Sequence, residues 1–355
     1  MTKPIVLAYS GGLRSTVAIA WLAERHAADV VAVTLDLGQP TDLAEIRDRA
    51  LAAGAVRAHL IDAREEFVRD FAWPALRADA MADGRYPMAT ALSRPLIAQK
   101  LVEIARIEGA TLVAHGSAGR DRLRLDRPLG ALDPSLTAIA CGDGMTAAQV
   151  DEYADRLGIS RPVGGADRAD ANLWGRTIGR PADDGSAEPP ESAFALTRPL
   201  GQTPNEPATV TLTFERGTPT GINGVAMTPA ELVESLSTIA GEHGVGRFDR
   251  VKPRENGSRA RVLHEAPAAA VLHHARREIE RLASSASLNR FQPAVSAAYA
   301  GVLGSGEWFG RLRQGLDAYV ASIQEGVSGT VRVKLFKGHS YIVSRTLNRP
   351  EPLNL

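Results

Sequence analysis

Along its first 160 residues the chain alternates between two hydrophobic patterns. Residues 5–10, IVLAYS, form an unbroken apolar run, as a parallel strand buried on both faces requires. Residues 14–27, RSTVAIAWLAERHA, then place apolar side chains at helical spacing. VVAVTLDL (30–37) predicts a second strand, TDLAEIRDRALAAG (41–54) a helix capped by Thr41, and AHLIDA (58–63) a third strand. SRPLIAQKLVEIARIEG (93–109) predicts a helix with Ser93 as N-cap, Pro95 in its first turn and Gly109 as its stop. TLVAHGS (111–117) supplies a fourth strand. Strand–helix alternation of this kind predicts a doubly wound parallel sheet, with ligands beyond the carboxyl ends of the strands.

The pattern then changes. Residues 161–207 are rich in Gly, Pro and Asp with little periodicity, and read as a linker or crossing loop. From Thr209 the reading is α+β: a strand TVTLTFE, a helix from Thr228, helical stretches near 268–283 and 306–324, and a final hairpin turning at Gly338. Two domains are expected, residues 1–162 and 163–355.

Composition narrows the function classes. Forty-one basic and 41 acidic residues cancel, so no global field favours nucleic acid or an anionic membrane. A single cysteine, Cys141, rules out an internal disulfide framework and a cysteine metal cluster. The N-terminus enters a strand without a signal-peptide pattern, and no apolar run reaches the ~18 residues of a membrane span. A cytoplasmic protein is expected.

Candidate chemistry begins at Ser10-Gly11-Gly12, between the first strand and a helix N-terminus. Outward backbone N–H groups and the positive end of the helix dipole make such a turn a phosphate site. It is neither the GxxxxGK[ST] nor the GxGxxG pattern. It resembles the SGGxDS loop of the N-type ATP pyrophosphatases of the PP-loop superfamily, which cleave ATP between its α- and β-phosphates. Taken alone, the turn reads equally well as a plain strand–turn–helix.

The remaining motifs decide between these. AYSGGLRSTVAIAWL (8–22), DLGQ (36–39), RYPMATALSRPLIAQKLVEIA (85–105), VAHGSAGRD (113–121), NLWGRT (172–177), EPPE (188–191), GINGVAMTPAEL (221–232), GEHGVGRFD (241–249) and HEAPAAAVLHHA (264–275) run in one order. Together they resemble the argininosuccinate synthetase family along nearly the whole length. The resemblance implies an adenine nucleotide alpha hydrolase-like α/β domain followed by an α+β synthetase domain. It also implies an AMP-forming C–N ligase: the ureido oxygen of citrulline attacks the α-phosphate of ATP, pyrophosphate leaves, and the amine of aspartate displaces AMP, with Mg²⁺ accompanying the ATP. Ala8, Tyr9, Ser10, Gly11, Gly12, Ser15 and Thr16 would cradle ATP, Thr34 would lie by the adenine and Gly116 by the ribose. Tyr86, Thr90, Arg94, Ala118, Arg120, Asp121, Arg124, Thr177, Lys252 and His264 fall at substrate-binding positions.

Several of these depart from the family pattern. Arg14 stands where the family carries aspartate, and Ala91 where it carries serine. Ala118 replaces a threonine and Arg120 an asparagine, in a turn two residues shorter than the family's. Lys252 replaces a glutamate and His264 a tyrosine. An ammonium in place of a carboxylate reverses the local charge. Changed small-molecule substrates, an acceptor and an amine, are therefore expected, in specialised metabolism; true argininosuccinate synthesis and a non-catalytic ATP-binding homologue are the alternatives. Asp121, Arg14 and Ser10 are the expected catalytic residues, Asp121 orienting or deprotonating the attacking amine. His115 stands near the nucleotide, with a structural role as the equal alternative. His273 and His274 are adjacent on a helix, face different ways and make no metal pair, and no metal-ligand set is expected. The family's extended C-terminal arm has no counterpart after the last hairpin, so a homo-oligomer, dimer or looser tetramer, is expected.

Overall fold

The computed structural model describes residues 3–159, 168–180, 183–253 and 257–348. The chain divides into two compact units, each discontinuous in sequence. One comprises residues 1–63, 93–164 and 302–310; the other comprises 64–92, 165–301 and 311–355. A single cut at 162/163 falls among residues outside the described ones, and segments 64–92 and 302–310 each cluster with the unit that such a cut would deny them.

The first unit is built on a parallel sheet of β1 (Ile5–Ala8), β2 (Val30–Asp36), β3 (Arg57–Asp62), β4 (Leu112–His115) and β5 (Thr137–Ala140), in the order β3-β2-β1-β4-β5. The fifth strand, TAIA, carries one large apolar side chain and is only partly buried, so it does not stand out in the sequence. Its helices are α1 (Leu13–His26), α2 (Leu43–Ala52), α3 (Ala89–Glu108), α4 (Arg120–Leu132) and α5 (Ala147–Arg156). Ile5, Leu7, Val30 and Ala32 pack with Val17, Ile19 and Leu22 of α1 and Ile46 of α2 into one core. The strand order reverses at β1, so the loops after β1 and after β4 flank the sheet's switch point, where doubly wound folds bind ligands.

Two helix starts differ from expectation. Asp42, not Thr41, caps α2, its carboxylate accepting from the amides of Ala44 and Glu45. Helix α3 begins at Ala89, four residues before Ser93, and carries Pro95 inside it. Burial of Ala89, Ala91, Leu92 and Leu96 outweighs the loss of one proline N–H.

The second unit contains a two-stranded antiparallel ribbon, Met81–Ala82 with Tyr86–Pro87, and two larger antiparallel sheets. In one, β6 (Arg168–Asn172), β7 (Gly175–Arg180), β10 (Arg247–Pro253) and β11 (Arg259–Glu265) run in the order β10-β11-β7-β6. In the other, β8 (Ala208–Glu215), β9 (Thr218–Ile222), β12 (Gly329–Phe336) and β13 (His339–Leu347) run in the order β9-β8-β12-β13, with the two-residue strand Val225–Ala226 outside β9. Strands β6 and β7 lie within the stretch expected to be a loop; RADAN and GRTIGR are polar and glycine-broken, which hides their alternation. Helix α6 (Pro229–Glu242) starts from Thr228 in a complete capping box with Glu231. Helices α7 (Pro267–Ala283), α8 (Ala286–Ser305) and α9 (Arg311–Gln324) follow, so residues 306–310 are not helical and α8 adds a helix that the sequence pattern missed. The last hairpin turns at Lys337-Gly338, both with positive φ, as a two-residue turn requires. Among the described residues no helix is long and apolar enough to cross a membrane.

Candidate functional site

In the first unit the SGG turn leaves β1 and enters α1 through Gly12, whose φ/ψ of −75°/159° is extended. The turn is fixed from within: the hydroxyls of Ser15 and Thr16 both donate to the Gly12 carbonyl, at 2.8 and 3.0 Å. The Tyr9 hydroxyl lies 2.9 Å from Thr16 Oγ1, and Thr34 Oγ1 donates to the Tyr9 carbonyl at 3.0 Å. Helix α2 buttresses it from behind: Arg49 Nη1 donates to the Gly11 carbonyl at 2.8 Å, and a Cβ on Gly11 would meet Ile46 Cγ1 at 2.7 Å. Gly11 also sits at φ +74°, so only glycine fits without strain. Ser10 and Gly12 remain exposed, with Ser10 Oγ 3.3 Å from Ser15 Oγ. Arg14 is exposed in the first turn of α1, where the helix dipole disfavours a cation and favours an anion beside it. Gly11→Ala is expected to cost about 1–2 kcal/mol of stability from the left-handed backbone alone. It should also raise the KM for ATP well above the wild-type value; a KM within twofold would show that the turn is not the phosphate site.

The turn after β4 is held by His115, which is fully buried. Its Nδ1 accepts from the Ser117 amide at 3.3 Å, which leaves the proton on Nε2, 2.8 Å from Asp126 Oδ1. Arg122 Nε donates to the other Asp126 oxygen at 2.9 Å. Both ring nitrogens of His115 therefore serve the turn itself, and Gly116 and Ala118 are exposed beyond it. At the start of α4, Asp121 is clamped between two guanidinium groups. Arg94 reaches Oδ2 through Nε (3.2 Å) and Nη2 (2.8 Å), and Arg124 Nη1 reaches Oδ1 at 3.2 Å. Burial alone would raise this carboxyl, but Arg94 and Arg124 outweigh it and hold it below the usual carboxylate range. The expected deprotonating role does not suit so weak a base; a charge-bearing, orienting role does. Arg124 Nε is spent on the Gly304 carbonyl at 3.1 Å. The side chain of Arg120 lies outside the described residues.

In the second unit, cross-strand register aligns Phe248, His264, Thr177 and Asp170 in one row. Alternation along β10 puts Arg250 and Lys252 on the same face as Phe248. His264 Nδ1 lies 3.2 Å from Thr177 Oγ1, and the Tyr86 ring packs over His264 at 5.5 Å and edge-on to Phe248 at 6.2 Å. The Tyr86 hydroxyl donates to the Asp249 carbonyl at 3.1 Å. Arg250 lies over the Tyr86 ring and pairs with Asp83. Burial, with Lys252 and Arg250 nearby, lowers His264 to about 4, so the ring is neutral at physiological pH. Thr90 sits half-buried in the first turn of α3.

Comparison with known proteins agrees with this geometry. Residues 4–160 match the family model described as the arginosuccinate synthase N-terminal HUP domain, and residues 168–350 the arginosuccinate synthase C-terminal domain. The chain belongs to the argininosuccinate synthase family. It is 44% identical over 352 residues to the argininosuccinate synthase of Dehalococcoides mccartyi strain CBDB1, covering 97% of this chain and 87% of that one. It is 45% identical over 354 residues to the argininosuccinate synthase of Rubrobacter xylanophilus, covering 98% and 86%. The enzyme class follows: an ATP-dependent, AMP-forming carbon–nitrogen ligase.

Several of the argininosuccinate synthase motifs that carried the sequence resemblance hold the scaffold. Asn172 of NLWGRT donates to the Ala89 carbonyl at 2.8 Å and accepts from the Trp174 amide at 2.9 Å. Glu191 of EPPE pairs with Arg247 of GEHGVGRFD. Glu265 of the HEAP segment is fully buried and accepts from the amides of residues 195, 196 and 197. Arg49 and Asp126 lie outside the motifs and carry no sequence signal of their own, since their importance depends on what the fold brings to them. Cys141 is buried, its thiol pushed up to about 12 by desolvation, and is inert. His273 and His274 bond to Asp79 and Ser340 respectively, on different sides of α7. Among the described residues no group of three or more His, Cys, Asp or Glu side chains could hold a metal ion.

Proposed function

We propose that the chain makes argininosuccinate: ATP adenylates the ureido oxygen of citrulline with release of pyrophosphate, and the amine of aspartate then displaces AMP. The observation that carries this is the SGG turn at the sheet's switch point, rigid behind through Arg49 and Ile46 and open in front at Ser10 and Gly12. The amides at the start of α1 then stabilise charge on the departing pyrophosphate. Ala8, Tyr9, Ser15, Thr16, Thr34 and Gly116 complete the nucleotide site, with Arg14 and Ser10 beside the phosphates. Mg²⁺ fits as an ion carried mainly by the nucleotide's own phosphates, its usual mode, and supplies charge neutralisation there. The names of the relatives support this reading better than the specialised-metabolism substrates expected from the sequence.

A second reading, the same reaction on an altered acceptor, is favoured by one observation: Lys252 and Arg250 share a sheet face with His264. The exposed Tyr341 and Val343 on the outer strand β13 favour assembly into a homo-oligomer, dimer or tetramer. A pyrophosphate-release assay with ATP, citrulline and aspartate tests the main reading. AMP and pyrophosphate should appear in equal amounts, each dependent on both amino acids. Formation of ADP would overturn the ligase chemistry, and turnover only with other ureido or carboxyl acceptors would replace the first reading by the second.

A further inference from the structure

Resting on the ligase reading above, we propose that Arg49 is a positioning residue for the phosphate turn. It holds the Gly11–Gly12 peptide with its N–H toward the departing pyrophosphate and its carbonyl toward α2. The two glycines leave the peptide between them able to turn over. Gly11 is buried at φ +74°, whereas Gly12 is exposed at φ −75°. Rotating that peptide by half a turn changes ψ of Gly11 and φ of Gly12 together. Gly12 would arrive at a φ of about +105°, a region open to glycine and closed to residues with a Cβ. For an anion the two orientations are opposites: one presents an N–H, the other a carbonyl oxygen.

Contacts within the turn fix only the next peptide. The Gly12 carbonyl accepts from the Thr16 amide at 3.0 Å and from the hydroxyls of Ser15 and Thr16. The Gly11 carbonyl instead takes a donor from 38 residues away, Arg49 Nη1 on α2, at 2.8 Å. Across a trans peptide the C=O and N–H point in opposite directions. Tying the carbonyl to α2 therefore turns the Gly12 N–H away from α2, on the side where Ser10 and Gly12 are exposed. The Arg49 fork is itself held, since Nη2 pairs with Glu45 one turn earlier on α2. Ile46 of the same helix packs under Gly11, so α2 meets the turn with an apolar contact and a charged donor together. That donor also polarises the amide and strengthens the Gly12 N–H for an anion. Arg49 thus acts on the phosphates through the peptide, from behind the turn.

Binding without turnover tests this, with ATP, pyrophosphate and adenosine as separate probes and neither amino acid present. Titration calorimetry on the full chain should show Arg49→Met weakening ATP and pyrophosphate at least about tenfold, while adenosine changes less than about twofold. Arg49→Lys keeps one donor for the carbonyl and should recover most of the loss. The ratio between Arg49→Met and wild type should persist at about 1 M salt, where the through-space pull of a charge on an anion is screened. Circular dichroism checks that both variants are folded. Four results would each overturn the inference: phosphate-probe affinities in Arg49→Met within about twofold of wild type, an equal loss for adenosine, a loss that salt removes, or a wild type that binds neither ATP nor pyrophosphate. Absence of recovery in Arg49→Lys would overturn it as well. Pyrophosphate release by the wild type with citrulline and aspartate, alongside any of these, would defeat this inference alone. No release alongside a selective loss in Arg49→Met would defeat the ligase reading alone.

Discussion

Glu265→Gln is expected to destabilise the second unit by about 3–5 kcal/mol, the range for unpairing a buried charge. The wild-type carboxylate is fully buried and saturated with donors. Oε1 accepts from the amides of Ala195 (3.0 Å), Leu196 (2.9 Å) and Thr197 (3.1 Å) and from the Thr197 hydroxyl (2.8 Å). Oε2 accepts from Arg176 Nη1 at 3.1 Å and from the Ala195 amide at 2.9 Å. A glutamine keeps one oxygen, but its NH₂ must face either Arg176 or the three amides, placing donor against donor. The guanidinium of Arg176, itself mostly buried, then loses its only ion-pair partner among the described residues. The consequence reaches the candidate site because Glu265 and His264 are neighbours on β11 and point to opposite faces of the sheet. Anchoring the strand on one face sets the register of His264 against Thr177 on the other. Urea denaturation should show a lower midpoint at an unchanged slope. A loss under about 1 kcal/mol would mean that the segment at 195–197 is held by other contacts.

How much of this was legible in the sequence follows the physics of each element. Strands β1, β2 and β4 are buried on both faces, so they are written as plain apolar runs and were readable. Strands β6 and β7 carry the Thr177 side of the candidate site, and their polar faces and glycines erase the alternation that marks a strand. The start of α3 at Ala89 was hidden because Pro95 and Ser93 are local signals, whereas the burial of Ala89 and Leu92 is a tertiary one. The SGG turn was legible because a left-handed residue pressed against Ile46 leaves glycine alone as an option. Asp121 was picked out as a carboxylate in the right motif, yet its chemistry depends on Arg94, 27 residues away. No local pattern shows that pairing, and it turns an apparent base into a fixed anion.

Asp79→Ala is expected to cost a further about 3–5 kcal/mol, by the same physics in a denser cluster. Asp79 has φ +54° and sits at the centre of buried charges in the second unit. Its Oδ1 lies 2.8 Å from His273 Nδ1 and 3.8 Å from Arg276 Nη1, and Arg277 Nε donates to Oδ2 at 2.7 Å. Arg276 is fully buried and also pairs with Glu280. Burial by itself would raise the Asp79 carboxyl, but His273, Arg276 and Arg277 outweigh it and bring it down to about 2. A folded-state value below the unfolded one means stability that is complete above pH 3.8 and is lost as pH falls toward 2. That shift corresponds to roughly 2 kcal/mol. His273 works in the same direction at a higher pH: burial lowers its proton affinity in the fold, so as pH drops through 6.5 the unfolded chain gains this proton before the folded one. Asn at position 79 tolerates the left-handed backbone and keeps an acceptor, so Asp79→Asn isolates the charge from the geometry. Urea midpoints measured from pH 7 to pH 2 should fall steeply below pH 4 in the wild type and more gently in Asp79→Asn. Parallel curves would place the acid sensitivity elsewhere, and a wild-type curve flat below pH 4 would remove Asp79 as the electrostatic centre of this cluster.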